Sequence, residues 1–164
     1  MKLSSNLRPQ NLPVAALLTA ALFGVAANMN AALTEAEIDQ AFAAAATYQI
    51  DQPRDAIARI GEAARETRPG DPARARLEQK MIAFMQSGST LEAKRLICRQ
   101  LWVIGTDASV PVLEKMLLNA DTTAMACFAL MNYPSAAADA ALRQALDKTT
   151  GDTQWKILDT LGSR

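Results

Sequence analysis

The sequence predicts an all-α protein, and three observations carry this prediction. Apolar residues recur at helical spacing after residue 33, and no stretch alternates apolar with polar residues between hairpin turns. Alanine supplies 33 of the 164 residues, whereas aromatic residues make up only 5%. Alanine is the best helix former, while strands favour aromatic and β-branched residues. We therefore expect about eight short helices after an N-terminal leader.

The leader, residues 1–27, has the three-part pattern of a secretory signal peptide. Lys2 and Arg8 are the only charged residues before Glu35, and the apolar run over 12–27 ends in small residues. At about 16 residues, this run is shorter than the roughly 20 that a spanning helix needs. We therefore expect cleavage and a periplasmic or secreted protein. An uncleaved membrane anchor and a buried helix are the alternatives.

Four helices are predicted between residues 34 and 105. Thr34 and Glu37 form a capping box that opens the first helix. Asp71 before Pro72 gives the third helix a cap followed by proline in the first helical position. The other expected boundaries are starts at Asp51 and Thr90 and ends at Gly88 and Gly105. The buried stripes are expected at Ile38, Ala41, Phe42 and Ala45, then Ile57, Ile60 and Ala64, then Leu77, Met81, Phe84 and Met85, then Ile97, Leu101 and Ile104.

Four more helices are predicted between residues 109 and 161. Ser109 and Pro111 start the fifth, and Pro134 stops the sixth after Tyr133. The expected caps of the last three helices are Asp121, Ser135 and Asp152. The buried residues expected in the fifth and seventh are Leu113, Met116 and Leu117, then Ala138, Ala141, Leu142, Ala145 and Leu146.

Charge and composition argue against several functions. Seventeen basic residues balance seventeen acidic ones, which excludes the global basicity of a nucleic-acid binder. The sequence contains no histidine. Nucleophile–histidine catalysis is therefore impossible, and neither a Cys-x-x-Cys pair nor a phosphate-binding loop occurs. We expect no enzyme activity, cofactor or metal. The carboxylate pairs Glu35/Asp39 and Glu62/Glu66, and the i,i+4 pairs Asp55/Arg59 and Arg74/Glu78, are predicted as surface charges.

A repeat of 29 residues links the second half of the chain to itself. Residues 100–106 align with 129–135, and the same offset places Leu113 on Leu142 and Leu117 on Leu146. Residues 155–162 resemble the first helix of a third unit. A period near 30 with two antiparallel helices per unit predicts an α-solenoid.

The segment 91–164 resembles HEAT-like repeats, including those of phycobilin-lyase-type proteins and of exported bacterial HEAT-repeat proteins. The phrases that carry the likeness are Leu101-Trp102-Val103-Ile104-Gly105-Thr106-Asp107, Val110-Pro111-Val112-Leu113, Ala129-Leu130 and Leu161-Gly162-Ser163-Arg164. The resemblance implies a right-handed solenoid with units at 91–119, 121–149 and, in part, 151–164. Residues 34–90 fit as an N-terminal cap or degenerate repeat. The second unit departs from the pattern because Tyr133-Pro134 stands where a glycine-containing turn is usual.

The resemblance implies a bacterial, non-catalytic scaffold that binds another protein. A second hypothesis makes the chain the N-terminal scaffold of a longer exported enzyme or electron-transfer protein, and a weaker third makes it lyase-like toward a tetrapyrrole. We expect Ile157, Leu158 and Leu161, in the last helix, to face outward because no following helix covers them. Either the natural protein continues, or a partner or second copy covers that end. We expect membrane contact only through an uncleaved signal.

Candidate binding residues fall in two groups. Arg95, Arg99 and Trp102 lie at i, i+4 and i+7 on one helix face, which suits an anion- or peptide-binding ridge. The alternative is that Trp102 packs on the preceding helix while the arginine stems cover apolar surface. Repeat solenoids present the second helix of each pair on their concave side. The second-helix candidates are Glu114, Lys115, Arg143, Gln144 and Lys148.

The two cysteines, Cys98 and Cys127, occupy equivalent positions in consecutive units. Both lie beside an apolar stripe, where free cysteine is an ordinary small core residue. We expect buried thiols. A disulfide joining the two units is the alternative, since export would permit one.

Overall fold

The computed structural model describes residues 33–164, which form eight α-helices and a short 3-10 helix, with no strand among them. This confirms the all-α class; the predicted signal peptide lies outside the described residues. The helices are α1 Glu35–Ala45, α2 Asp55–Glu66, α3 Pro72–Gln86, α4 Leu91–Ile104, α5 Val110–Leu117, α6 Thr123–Leu130, α7 Ala136–Lys148 and α8 Gly151–Ser163, with the 3-10 helix at Asp107–Ser109. Within 33–164, no helix is long and apolar enough to cross a membrane.

Side-chain caps begin four of the helices where the sequence predicts them. The capping box of α1 is complete, because Thr34 accepts from the backbone N–H of Glu37 while the Glu37 carboxylate accepts from the backbone N–H of Thr34 at 2.8 Å. Asp71 directly precedes α3, and its carboxylate accepts from the backbone N–H of Ala73 at 2.7 Å. Thr90 and Ser135 cap α4 and α7 in the same way. Each cap satisfies a backbone donor that the helix leaves free.

Three predicted starts are wrong. Helix α2 begins at Asp55 rather than near Asp51, because the chain before it folds into a turn held by Tyr48, whose hydroxyl donates to the carbonyl of Ile50 and accepts from Arg54. Helix α6 begins after Thr122 rather than at a cap on Asp121. Helix α8 begins at Gly151, so Asp152, the predicted cap, lies inside its first turn. There its negative charge still interacts favourably with the helix dipole.

The helices contact one another in two series. In one series α2 packs on α4, α4 on α6 and α6 on α8; in the other α3 contacts α5 and α5 contacts α7. Consecutive helices α5 and α6, and α7 and α8, join the two series. The side chains between them form one apolar core. Its largest fully buried members include Ile60, Met81, Ile97, Leu101, Ile104, Leu113, Leu117, Leu130, Leu142 and Ile157.

The last helix departs from the prediction that its three apolar residues all face outward. Leu158 is exposed, but Ile157 is fully buried and Leu161 is partly buried against the core. Helix α8 packs on both α6 and α7, and this double contact turns Ile157 inward. Arg164 adds a polar contact at the same end, because its guanidinium donates to the carbonyls of Leu130 and Tyr133.

A buried carboxylate joins α3 to the connection between α4 and α5. Glu78, only 3% exposed, accepts from the backbone N–H of Thr106 at 2.7 Å and from the hydroxyl of Ser109 at 2.6 Å. The hydroxyl of Thr106 also donates to it. The predicted surface pair between Arg74 and Glu78 is therefore wrong. Arg74 instead donates to the carbonyl of Val103 at 2.8 Å, because the end of α4 offers free acceptors.

A tyrosine fixes the same connection from the other side. The Tyr133 hydroxyl, on the chain between α6 and α7, donates to the carbonyl of Leu101 at 3.0 Å. Gly105 follows α4 and leaves room for this ring: a β-carbon there would lie 1.5 Å from the tyrosine oxygen. Burial raises the pKa of Tyr133 well above its ordinary value, so the hydroxyl stays a donor. Tyr133, which stands where the repeat pattern has a glycine-containing turn, thus links the α6–α7 connection to the end of α4.

Replacing Gly105 with alanine tests this close approach. Gly105→Ala should lower the free energy of unfolding by about 1–3 kcal/mol, because the added methyl group forces the tyrosine ring or the backbone to move. Urea denaturation followed by circular dichroism measures the change. Gly162→Ala in α8 is the matched control, since nothing lies within 4 Å of its added carbon. Equal stability of the two variants would contradict the contact.

Replacing Glu78 with glutamine tests the buried carboxylate. Glu78→Gln should lower the free energy of unfolding by about 1–3 kcal/mol, because an amide nitrogen then faces hydroxyl and amide donors that lose their acceptor. Urea denaturation again gives the value. Gln79→Ala, at the exposed neighbouring position, should change stability by less than about 0.5 kcal/mol. A Glu78→Gln variant as stable as this control would show that the network contributes nothing.

Candidate binding surface

The predicted ridge on α4 faces solvent because the opposite side of the helix is committed to the core. Ile97, Leu101 and Ile104 are fully buried, which leaves the face that carries Arg99 and Trp102 outside. Trp102 is 38% exposed. The structure therefore places Arg99 and Trp102 on the solvent-facing side of α4, with Arg95 half-buried.

An aromatic partner from α6 completes this face. The rings of Trp102 and Phe128 have centroids 6.0 Å apart and an interplanar angle of 33°. The Arg99 guanidinium carbon lies 6.0 Å from the centroid of the Phe128 ring, within cation–π range. We call the set Arg95, Arg99, Trp102 and Phe128 the α4–α6 surface.

The two arginines of the α4–α6 surface differ in their partners. Arg95 donates to the Glu92 carboxylate at 2.6 Å, so its charge is largely neutralised within α4. Arg99 forms no ion pair with any residue in 33–164. Its guanidinium lies over the face of the Phe128 ring. Arg99 is thus the cation available to an incoming anion.

A shallow cleft lies beside Phe128. It has a volume of about 240 Å³ and is lined by Arg95, Arg99, Asp121, Ala124, Met125 and Phe128. The charged residues and the apolar residues therefore meet in one open depression between α4 and α6.

Exposed apolar side chains concentrate on or beside α4, α6 and α8. Trp155 on α8 is 70% exposed, and Met131, directly after α6, is 38% exposed. Among the described residues, only Leu118 represents the other series. The large apolar residues exposed on or beside α4, α6 and α8 are Leu91, Trp102, Val103, Phe128, Met131, Trp155 and Leu158.

Sequence reasoning missed Phe128, although the repeat contains the signal for it. The offset of 29 residues aligns Phe128 with Arg99 and Met131 with Trp102. An outward position on α4 therefore implies an outward position on α6. An aromatic residue at such a position stands out because large apolar side chains normally lie inside.

The second-helix candidates lie on α5 and α7, apart from the α4–α6 surface. Lys115, Arg143, Gln144 and Lys148 are exposed, whereas Glu114 is half-buried. Arg143 lines a separate depression with Asp139 and Arg164. These residues stay candidate contacts, but the structure places few exposed apolar side chains beside them.

Both cysteines are free and buried. The Cys98 sulfur lies 3.8 Å from the Met85 sulfur, and burial raises the pKa of Cys98 to about 12. Burial also raises the pKa of Cys127, against a smaller lowering by the Thr160 hydroxyl. Thiolates are disfavoured at both positions, which fits core residues.

The carboxylates of α1 form exposed ion pairs with α3. Glu35 accepts from Arg76 at 2.9 Å, and this hydrogen bond is the main cause of its lowered pKa. Lys80 contacts both Glu35 and Asp39, and the bond to Asp39 raises the pKa of the lysine. Within residues 33–164, no group of three acidic, cysteine or histidine side chains is arranged to hold a metal ion.

Comparisons of the chain with family models, with curated proteins and with solved structures find no match. The HEAT-like resemblance therefore rests on the quoted phrases and on the 29-residue repeat.

Thiol reactivity tests the burial of the cysteines. Neither thiol should react with Ellman's reagent at mildly alkaline pH in the native protein, and both should react at once in denaturant. Cys127→Ser assigns any residual reaction to one sulfur. Because the unfolded thiol ionises at an ordinary pKa and buried Cys98 only at about 12, the free energy of unfolding should fall as pH rises through that window. Rapid labelling of the native protein would refute this burial.

Proposed function

We propose that this chain is an exported, non-catalytic HEAT-like scaffold that binds another protein on its helical surface. A right-handed solenoid is part of the proposal. Its support is the 29-residue repeat together with the two series of contacts, in which α4 packs on α6 and α5 packs on α7. Export rests on the signal pattern of residues 1–27.

The observation that carries the proposal is the open aromatic pair beside an unpaired arginine. Trp102 and Phe128 are 38% and 40% exposed, although each has an apolar ring that water solvates poorly. Aromatic residues and arginine are the types most enriched where proteins bind one another. Their clustering on adjacent helices distinguishes this place from singly scattered apolar residues, which need no explanation.

The scaffold beneath this surface is suited to binding because it is already ordered. Trp102 and Phe128 stand on separate helices whose inner faces share a core, with Leu101 and Leu130 fully buried beneath them. A partner therefore does not have to order these backbones, and less association free energy is lost. This favours recognition by a preformed face.

Site-specific photo-cross-linking of the full chain in its source cells tests the proposed function. A photoreactive phenylalanine analogue at Met131, beside the α4–α6 surface, should give a discrete protein adduct after export. The double change Trp102→Ala and Phe128→Ala should reduce that adduct at least about tenfold, because each removes a large contact side chain. Mass spectrometry identifies the partner.

Lys115, on α5, serves as the second cross-linking position. Adducts from Lys115 alone would move binding to the second-helix candidates. Absence of specific adducts from both positions, with the chain exported and folded, would contradict the scaffold function. Leu118→Ala is the matched surface variant, since it removes an exposed apolar side chain from the other series.

A further inference from the structure

We propose that the α4–α6 surface binds an extended peptide segment in which a carboxylate side chain and a large aliphatic side chain are separated by one residue. The inference rests on the proposed function and specifies the chemistry of its partner. The carboxylate pairs with Arg99, and the aliphatic side chain lies on the rings of Trp102 and Phe128.

The carboxylate is specified by the charge that the fold leaves open. Arg99 has no ion-pair partner within residues 33–164, whereas Arg95 is held by Glu92. A guanidinium over an aromatic ring still directs its N–H groups outward in its own plane, where they suit a planar carboxylate. Asp121 also lines the cleft and repels an incoming carboxylate near it, so Arg99 is the group that an anion can bind.

The spacing follows from the distances across the surface. The Arg99 guanidinium lies 6.0 Å from the Phe128 ring, and that ring lies 6.0 Å from the ring of Trp102. Side chains i and i+2 of an extended chain share one face and are about 6.6–6.8 Å apart. Two side chains of the peptide with one residue between them can therefore reach from the Arg99 guanidinium to the rings of Phe128 and Trp102.

An extended segment fits better than a helix. A packed helix needs an open groove in which ridges interdigitate at an axis distance of about 8–10 Å. The Phe128 ring lies 6.0 Å from both the Arg99 guanidinium carbon and the Trp102 ring, so it occupies part of the space that a docked helix would need. The cleft of about 240 Å³ that remains has room for single side chains.

The test uses the fluorescence of Trp102 and a peptide that reads the same in both directions. Trp155→Phe leaves Trp102 as the only tryptophan of the full chain. The probe is Gly-Ser-Leu-Ser-Glu-Ser-Leu-Ser-Gly, with both ends blocked, so that leucine lies two residues from glutamate whichever way the peptide binds. Binding should shift Trp102 emission to shorter wavelength with saturation, at concentrations below about a millimolar.

Two matched changes measure the ion pair. Replacing the peptide's glutamate with glutamine should weaken binding about fivefold, the upper range for an exposed pair. The variant Arg99→Gln should weaken binding of the glutamate peptide equally and abolish the preference for glutamate over glutamine. Arg68→Gln, an exposed arginine between α2 and α3, should change neither value. A peptide with leucine directly beside glutamate should bind more weakly than the probe.

Three results would overturn the inference: no saturable shift of Trp102 emission with the probe, equal affinity for the glutamate and glutamine peptides, or an unchanged preference in Arg99→Gln. Because the peptide comparison needs no variant of Arg99, misfolding of that variant does not decide the outcome. If cross-linking at Met131 succeeds while the peptide fails, the scaffold function stands and this partner chemistry is wrong.

Discussion

The end of α4 constrains this structure because the Leu101 carbonyl is the one that the C-cap Gly105 binds, and the carbonyl groups after it lie beyond the last helical turn. Arg74 of α3 donates to the carbonyl of Val103, and Tyr133, on the chain after α6, donates to that of Leu101. The next turn is held by Glu78, whose buried carboxylate accepts from Thr106 and Ser109. Neighbouring helices on both sides therefore fix where α4 ends and how it leads into α5.

This constraint also positions the candidate binding surface. Trp102 lies between the two carbonyls bound by Tyr133 and Arg74, so the last turn of α4 cannot unwind without breaking both contacts. Phe128 lies on α6, about one turn before the connection that carries Tyr133. The hydrogen bonds at the end of α4 thus hold in place the helical turn that carries Trp102.

Much of the fold was predictable because its signals are local. Thr34, Asp71, Thr90 and Ser135 cap helices where the sequence predicts, since a cap needs only the next two or three residues. The buried position of Glu78 was not predicted because the donors to its carboxylate, Thr106 and Ser109, lie 28 and 31 residues further along the chain. A surface pair with Arg74 fits the local spacing equally well. The ridge on α4 was predictable from spacing. Phe128 was not recognised because its partners depend on how α6 packs against α4.

We propose that α4, α6 and α8, and not α3, α5 and α7, present the protein-binding face. Hydroxyl-radical footprinting of the chain, in its native cell fraction and after purification alone, tests this proposal. We expect Trp102 and Phe128 to be oxidised more slowly in the native fraction, while Leu118, similarly exposed beside α5, stays unchanged. Slower oxidation at Leu118 with no change at Trp102 and Phe128 would contradict the account.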